Sequence, residues 1–221
     1  RPITSDEGRI RDLVAGRRVL VTGAGGSIGS ELARQLHRYG PARLVLLDRD
    51  ESALHGVKMS LDGRALMDSD DLALADIRDA ERIKGIMLDT RPDVVFHAAA
   101  LKHMPMLERA PDEAFKTNVV GTANVLAAAT AADVPLFVNI STDKAADPEN
   151  VLGYSKRTTE RLTAGSDSGE GSRYVSVRFG NVLGSRGSML TTFRQQVADG
   201  GPITVTHPDV TRYFMTISEA V

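Results

Sequence analysis

The sequence predicts an α/β protein, a doubly wound parallel sheet of the Rossmann type followed by the beginning of a further region. Short apolar runs recur along the chain, at Val19–Val21, Leu44–Leu47, Asp93–Phe96, Pro135–Ile140 and Tyr174–Phe179. Continuous apolar runs of this kind mark strands covered on both faces. Stretches of helical periodicity separate them, which gives βα units and a parallel sheet. Glycine-rich or polar clusters follow the strand ends, where such sheets bind ligands.

The first unit is the most informative. Val19, Leu20 and Val21 form a strand that Thr22 ends. Gly23, Gly26 and Gly29 follow at three-residue spacing, and Ile28, Leu32 and Leu36 recur at helical spacing, so a helix starts inside the glycine run. Glycine lets backbone N–H groups approach a pyrophosphate, and the helix dipole adds partial positive charge there. Gly23, Gly26, Ser27, Ile28 and Gly29 are therefore the expected phosphate cradle. A glycine turn alone is weak evidence. Here Asp48 ends the second strand, 19 residues beyond Gly29, close to the spacing at which a carboxylate meets an adenosine ribose. Asp48 repels a 2′-phosphate and favours NAD over NADP, although its neighbour Arg49 offers such a phosphate a partner.

The remaining elements follow in order. Residues 1–16 read as a polar lead-in segment or short helix, and Glu51–Leu61 as a helix. Leu72, Leu74 and Ile77 read as a third strand closed by Asp76 and Ile77, which are placed to hold an adenine edge; a plain helix cap by Asp76 or Asp79 is the alternative. Arg82–Leu88 is a helix. The fourth strand ends in His97-Ala98-Ala99-Ala100, small residues that let backbone lie against a flat cofactor or pack tightly on a helix. One helical stretch is expected from Pro111 through Ala132, with Asn118 inside it as a surface residue, a helix irregularity or a group near a site. The fifth strand runs into Ser141-Thr142-Asp143-Lys144, and Pro148 and Asn150 open the next helix. After Asn181 the pattern changes to a loop, a helix at Met189–Val197 and a short strand at Ile203–Thr206. The expected organisation is a lead-in at 1–16, a dinucleotide-binding domain at 17–182 and a partial substrate region at 183–221.

Bulk properties exclude several classes. A net charge of −2 argues against an electrostatic nucleic-acid binder. The absence of cysteine removes disulfides, thiolate nucleophiles and zinc–thiolate sites. No run of about 18 apolar residues spans a membrane. The chain begins at Arg1 and ends at Val221 within an apparent helix start at Ile217–Ala220, so a fragment of something longer is expected.

The candidate chemistry lies beyond the fifth strand. Asp143 and Lys144 are adjacent, and Lys156 follows in the next helix; an acid and two amines suit proton transfer around a hydride transfer. A surface ion pair and a solvated lysine are the plain alternative. Lys156 could also bind a nicotinamide ribose. Tyr154 is two residues before Lys156, about 200° away on a helix, so the two do not face one site. Leu152 stands four residues before Lys156, where a tyrosine would pair with it. His97 and His103 lack metal-ligand spacing, and no metal is expected.

Thr22–Gly29, His97–Pro105, Lys116–Asn118, Ser141–Lys144, Arg178–Gly187 and Ile203–Phe214 resemble the extended short-chain dehydrogenase/reductases. More narrowly, they are similar to the polysaccharide-biosynthesis 4,6-dehydratases of UDP-N-acetylglucosamine, over about residues 17–221. The resemblance implies NAD, a UDP-sugar substrate, C4 oxidation, removal of the C5 proton by Lys144 and protonation of the departing C6 hydroxyl by Asp143. Thr142 would hydrogen-bond the C4 oxygen. Lys102, His103, Asn181, Ser188 and Arg212 fall at substrate-binding positions, with Asn181 and Arg212 toward the diphosphate. Ala98, Ala99, Ala100, Asn118 and Lys156 fall at cofactor-binding positions. Leu152 in place of tyrosine is similar to the larger, membrane-anchored branch and leaves the C4 base open. That branch implies a cytoplasmic catalytic part, with membrane contact only through a region outside this sequence, and is compatible with a homo-oligomer.

Overall fold

The computed structural model describes residues 6–63, 69–167, 171–185, 189–205, 209, 211 and 213–221. A first helix, α1 (Glu7–Val14), precedes alternating units: β1 (Arg18–Thr22), α2 (Ser27–Arg38), β2 (Arg43–Asp48), α3 (Glu51–Asp62), β3 (Leu72–Leu74), α4 (Ala80–Thr90) and β4 (Val94–His97). Then come α5 (Met104–Arg109), α6 (Pro111–Ala114), a π-helical segment (Phe115–Gly121) and α7 (Thr122–Ala131). The second half continues with β5 (Leu136–Thr142), a 3₁₀ turn (Asp143–Ala145), α8 (Val151–Gly165), β6 (Arg173–Phe179), β7 (Asn181–Val182), α9 (Met189–Ala198) and β8 (Phe214–Met215).

Six strands form one parallel sheet in the order β3-β2-β1-β4-β5-β6. This is the doubly wound order, whose reversal between β1 and β4 opens a crevice at the carboxyl ends. Strand side chains alternate between two cores. Val19, Val21, Leu44 and Leu46 pack against Leu32, Leu36, Leu54 and Val57 of α2 and α3. Leu20, Val45, Leu47, Val95 and Phe137 pack against Ile83, Met87, Val125 and Leu126 of α4 and α7. Both faces are covered, which explains the unbroken apolar runs of the central strands.

The structure corrects several boundaries. The third strand closes at Leu74, so Asp76 and Ile77 lie in the loop after it. Pro111–Ala132 is not one regular helix, because the π-helical segment interrupts it. Helix α5 was not expected; Pro105 stands near its start, where proline lacks only an N–H that would have no partner there. Ile203–Val205 is not a strand, and Thr206 lies outside the described residues. Ile217–Glu219 is a turn rather than an opening helix. The two-residue pair β7–β8 was also unforeseen.

Candidate active site

The glycine turn is held by contact. Gly23 has φ of +66°, and a Cβ there would lie 2.6 Å from the Ala99 Cα. A Cβ at Gly29 would collide with the Gly23 carbonyl oxygen. These two glycines let β1, the start of α2 and the alanine strip approach one another. The strip therefore packs on the turn and also faces the cleft, so both sequence readings of Ala98–Ala100 describe it.

Helix starts differ in a useful way. Asp50, Asp79 and Asn150 each accept a hydrogen bond from a first-turn N–H of α3, α4 and α8. Helix α2, starting at Ser27-Ile28-Gly29, has Gly26 as its N-cap and no side-chain cap. With no side chain at its N-cap, the amide end of α2 can be approached by an anion. The cleft in front is lined by Gly23, Gly26, Asp48, Arg49, Asp76, Ile77, Ala98, Ala99, Ala100, Leu101 and Thr117. Asp48 accepts from the Gly25 N–H at 2.8 Å and the Asp50 N–H at 3.0 Å, which fixes its carboxylate at the cleft edge. Asp76 accepts from the Arg78 N–H at 3.0 Å, while Asp79 caps α4.

Asn118 lies 1% exposed. Its side chain accepts from the Leu101 N–H at 2.8 Å and donates to the Leu101 carbonyl at 3.1 Å and to the Ser155 hydroxyl at 3.0 Å. It thus positions the loop that walls the cleft, and it lies inside the helix irregularity. Thr117, the preceding residue, accepts from Arg78 Nε at 2.9 Å, and Glu113 accepts from Arg78 at 2.6 Å. Asn124 donates to the carbonyls of Ile77 and Arg78 at 3.0 and 3.1 Å. A Cβ at Gly121 would lie 2.6 Å from Ile77 Cδ1. The π-helical segment and α7 together clasp the two loops that flank the cleft. Sequence reasoning gave no role to Arg78, Thr117 or Asn124; the motif Lys116–Asn118 contained Thr117 without saying what it would hold.

A second polar group sits at the carboxyl ends of β5 and β6. Thr142 donates to Asp143 Oδ1 at 2.9 Å, Lys144 Nζ donates to the same oxygen at 3.0 Å, and Lys144 Nζ donates to Asn181 Oδ1 at 3.3 Å. Partial burial pushes the Asp143 carboxyl up, but hydrogen bonds from Lys144 and Thr142 outweigh it and hold the carboxyl below its usual range. Lys156 is buried, and its Nζ donates to the Ile140 carbonyl at 2.8 Å. Burial pushes its pKa down to about 8, against the opposing charge of Glu160. Glu160 accepts from the Ser141 hydroxyl at 2.6 Å and from Nε and Nη2 of Arg178 at 2.7 and 2.6 Å. Tyr154 is 59% exposed on the opposite side of α8, as the helical geometry requires. Leu152 is buried beside Leu107 and Ala114.

Between the two groups lies His97, fully buried. Its Nδ1 is 2.7 Å from Thr22 Oγ1 and its Nε2 is 2.9 Å from Thr122 Oγ1. Burial, helped by the Lys156 charge, pushes its pKa down to about 3. His97 is therefore a neutral core link. Lys102 and His103 lie on the surface at the entry to α5. Ser188 and Arg212 lie outside the described residues. Among the described residues, no group of three or more His, Asp or Glu side chains is arranged to hold a metal, and no helix is long and apolar enough to cross a membrane.

Residues 19–221 match the model of a family described as polysaccharide biosynthesis protein. The chain belongs to that family. Across its whole length it is 45% identical to the probable polysaccharide biosynthesis protein EpsC of Bacillus subtilis, of which it spans 37%. It is 34% identical over 93% of its length to an inverting UDP-N-acetylglucosamine 4,6-dehydratase of Campylobacter jejuni, spanning 61% of it. It is also 35% identical over 92% of its length to a UDP-glucose 4-epimerase of Rickettsia rickettsii, spanning 60% of that protein. Among solved structures, Bordetella bronchiseptica WbmH in complex with NAD⁺ superposes with a TM-score of 0.72 at 26% identity, covering 91% of this chain and 68% of that one. The chain thus spans between a third and two thirds of these curated relatives, whose names carry two reaction types.

Proposed function

We propose that this polysaccharide biosynthesis family member carries the cofactor half and part of the catalytic half of an NAD-dependent nucleotide-sugar 4,6-dehydratase, with UDP-N-acetylglucosamine or a similar UDP-sugar as substrate. The observation that carries the reading is the Thr142-Asp143-Lys144-Asn181 cluster at the carboxyl end of β5. The dehydratase relative and the NAD⁺ complex of WbmH support it.

The residues present fit a dinucleotide. Gly23 and Gly29 let the turn, the start of α2 and the alanine strip close together without side chains, the N-cap Gly26 lines the cleft, and the Asp48 carboxylate stands at its edge. NAD would supply the acceptor and then the donor of one hydride. The backbone of Gly26, Ser27, Ile28 and Gly29 would hold its pyrophosphate, Asp48 an adenosine ribose, Asp76 and Ile77 the adenine edge, and Lys156 the other ribose.

The remaining work is proton transfer by this chain's own residues. Thr142 hydrogen-bonds the C4 oxygen. Once C4 is a ketone the C5 proton is acidic, and neutral Lys144 removes it. Asp143 delivers a proton to the departing C6 oxygen, so the pair ends as ammonium and carboxylate. That ion pair, at 3.0 Å, is the resting arrangement of the structure. When the hydride returns to C6, Lys144 gives its proton back to C5, and the proton that left with the C6 oxygen as water is replaced by the one the C4 hydroxyl releases on oxidation, so the pair again holds one proton. At rest that proton sits on Lys144; the lowered pKa of Asp143 sets the cost of placing it on the carboxyl, and substrate that separates the two charges reduces it. The residues of 183–221 would begin the sugar pocket, and the site would face the cytoplasm.

The Rickettsia relative favours 4-epimerisation as the second reading. Mass spectrometry of UDP-N-acetylglucosamine after incubation with the full-length protein separates them. Loss of one water supports dehydration. An isomer of unchanged mass supports epimerisation and leaves Asp143 without its role.

A further inference from the structure

We infer that Asp76 is a specificity-determining residue, holding Arg49 away from the adenosine ribose and reinforcing the choice of NAD over NADP. This rests on the NAD reading above. Asp48 and Arg49 are consecutive and both line the cleft, one repelling a 2′-phosphate and the other suited to bind it. Which of the two dominates depends on where the guanidinium is held. Arg49 Nη1 lies 3.5 Å from Asp76 Oδ2. Asp76 is itself fixed, because its Oδ1 accepts from the Arg78 N–H and the Ile77 and Arg78 carbonyls are tied to Asn124. The carboxylate is thus the anchored partner, and the arginine, with its side chain 51% exposed, is the movable one. A 2′-phosphate would have to take Arg49 from Asp76 and then sit beside two carboxylates. A 2′-hydroxyl makes neither demand.

Asp76→Asn keeps an oxygen that accepts from the Arg78 N–H and removes only the charge that holds Arg49. Calorimetric titration of the full-length protein with NAD and with NADP reads the outcome without turnover. The ratio of NADP to NAD affinity should rise about fivefold, the scale of one exposed ion pair exchanged for a phosphate contact. Adding Arg49→Ala should return the ratio to its starting value. Because Asp48 keeps NADP binding weak, the same series on an Asp48→Asn background brings both affinities into range. If the asparagine variant does not fold, Asp76→Ser offers a hydroxyl acceptor to the same N–H. A ratio unchanged in the variants, or NAD and NADP weakened equally, overturns the inference. Wild-type protein that binds NADP as tightly as NAD overturns the NAD reading instead, and that is measured before any substitution is made.

Discussion

The two halves of the site are built from different materials. At the ends of β1 and β4 the floor of the cleft is backbone and very small side chains, with Asp48, Arg49 and Asp76 at its edge, and its shape is enforced by contacts such as Gly23 on Ala99. At the ends of β5 and β6 the groups are charged side chains that hold one another, with Asp143, Lys144 and Asn181 joined through single hydrogen bonds. The first half works by geometry that exists before any ligand arrives. The second works by protons whose positions change during the reaction. Substitutions should therefore fail differently: in the first half through stability and binding together, in the second through rate alone.

The largest expected effect is on rate. Lys144→Ala in the full-length enzyme should lower dehydration about 10²- to 10⁴-fold, the range for loss of one acid–base group. Its melting temperature and NAD affinity should stay near wild type, since the pair it breaks is partly solvated. Reduced cofactor should build up on mixing with substrate, without dehydrated product. A variant that neither reduces the cofactor nor exchanges the C5 hydrogen would place Lys144 in the first step, as the C4 base that Leu152 does not supply.

Gly23→Ala should behave in the opposite way. An alanine at φ +66° that also meets Ala99 should destabilise the protein by about 3 kcal/mol. NAD binding should fall with it. Melting and titration of the same sample check both, and a stable variant that merely turns over slowly would erase the contrast between the halves.

This difference also explains what the sequence could show. Glycine spacing reports steric need, so the turn, α2 and Asp48 were legible from Gly23, Gly26 and Gly29 with the strand before them. The cap at Asp79 was read only as one of two alternatives with Asp76, and the cap at Asp50 was not read. The cluster at β5 was legible only as adjacent charges; its roles came from resemblance, because nothing in Thr142-Asp143-Lys144 states which neighbour will face Asn181, 37 residues beyond Lys144. The π-helical segment was hidden for another reason. Phe115–Gly121 carries weak helix formers from Thr117 to Gly121, but weak propensity does not tell a widened turn from an ordinary one, and the contacts of Thr117, Asn118 and Gly121 with two loops that accompany the widening are tertiary. Asn118 signalled an irregularity without saying what it held.

His97 lies where the halves meet and gives a pH test. Its folded pKa of about 3 is below the ordinary 6.5, so the unfolded chain takes up a proton that the folded protein refuses. The stability this group contributes is full above pH 6.5 and is lost as pH falls from 6.5 toward 3. Between pH 8 and pH 5 the loss should be about 2 kcal/mol. Urea denaturation across that range should show the slope in wild type and a flatter one in His97→Gln. Equal slopes would mean that His97 is protonated in the folded protein and that the Thr22–His97–Thr122 link is charged.

The smallest effect tests whether the halves are separate at all. Thr117 accepts from Arg78 Nε on the cofactor side, while its neighbour Asn118 reaches Ser155 on α8, the helix that carries Lys156. Thr117→Val removes one acceptor from Arg78 and leaves Glu113 in place. The stability change should be about 1 kcal/mol, that of one hydrogen bond to a charged donor partly replaced. The Asp76–Arg78 loop should loosen, and NAD affinity should fall about threefold on the same scale. Rate at saturating NAD should not change, because Ser155 and α8 are still held by Asn118. If the rate at saturation also falls, the π-helical segment transmits strain from the adenine side of the cleft to Lys156. The backbone-built and side-chain-built halves would then move as one body, and the clasp would be the element that joins them.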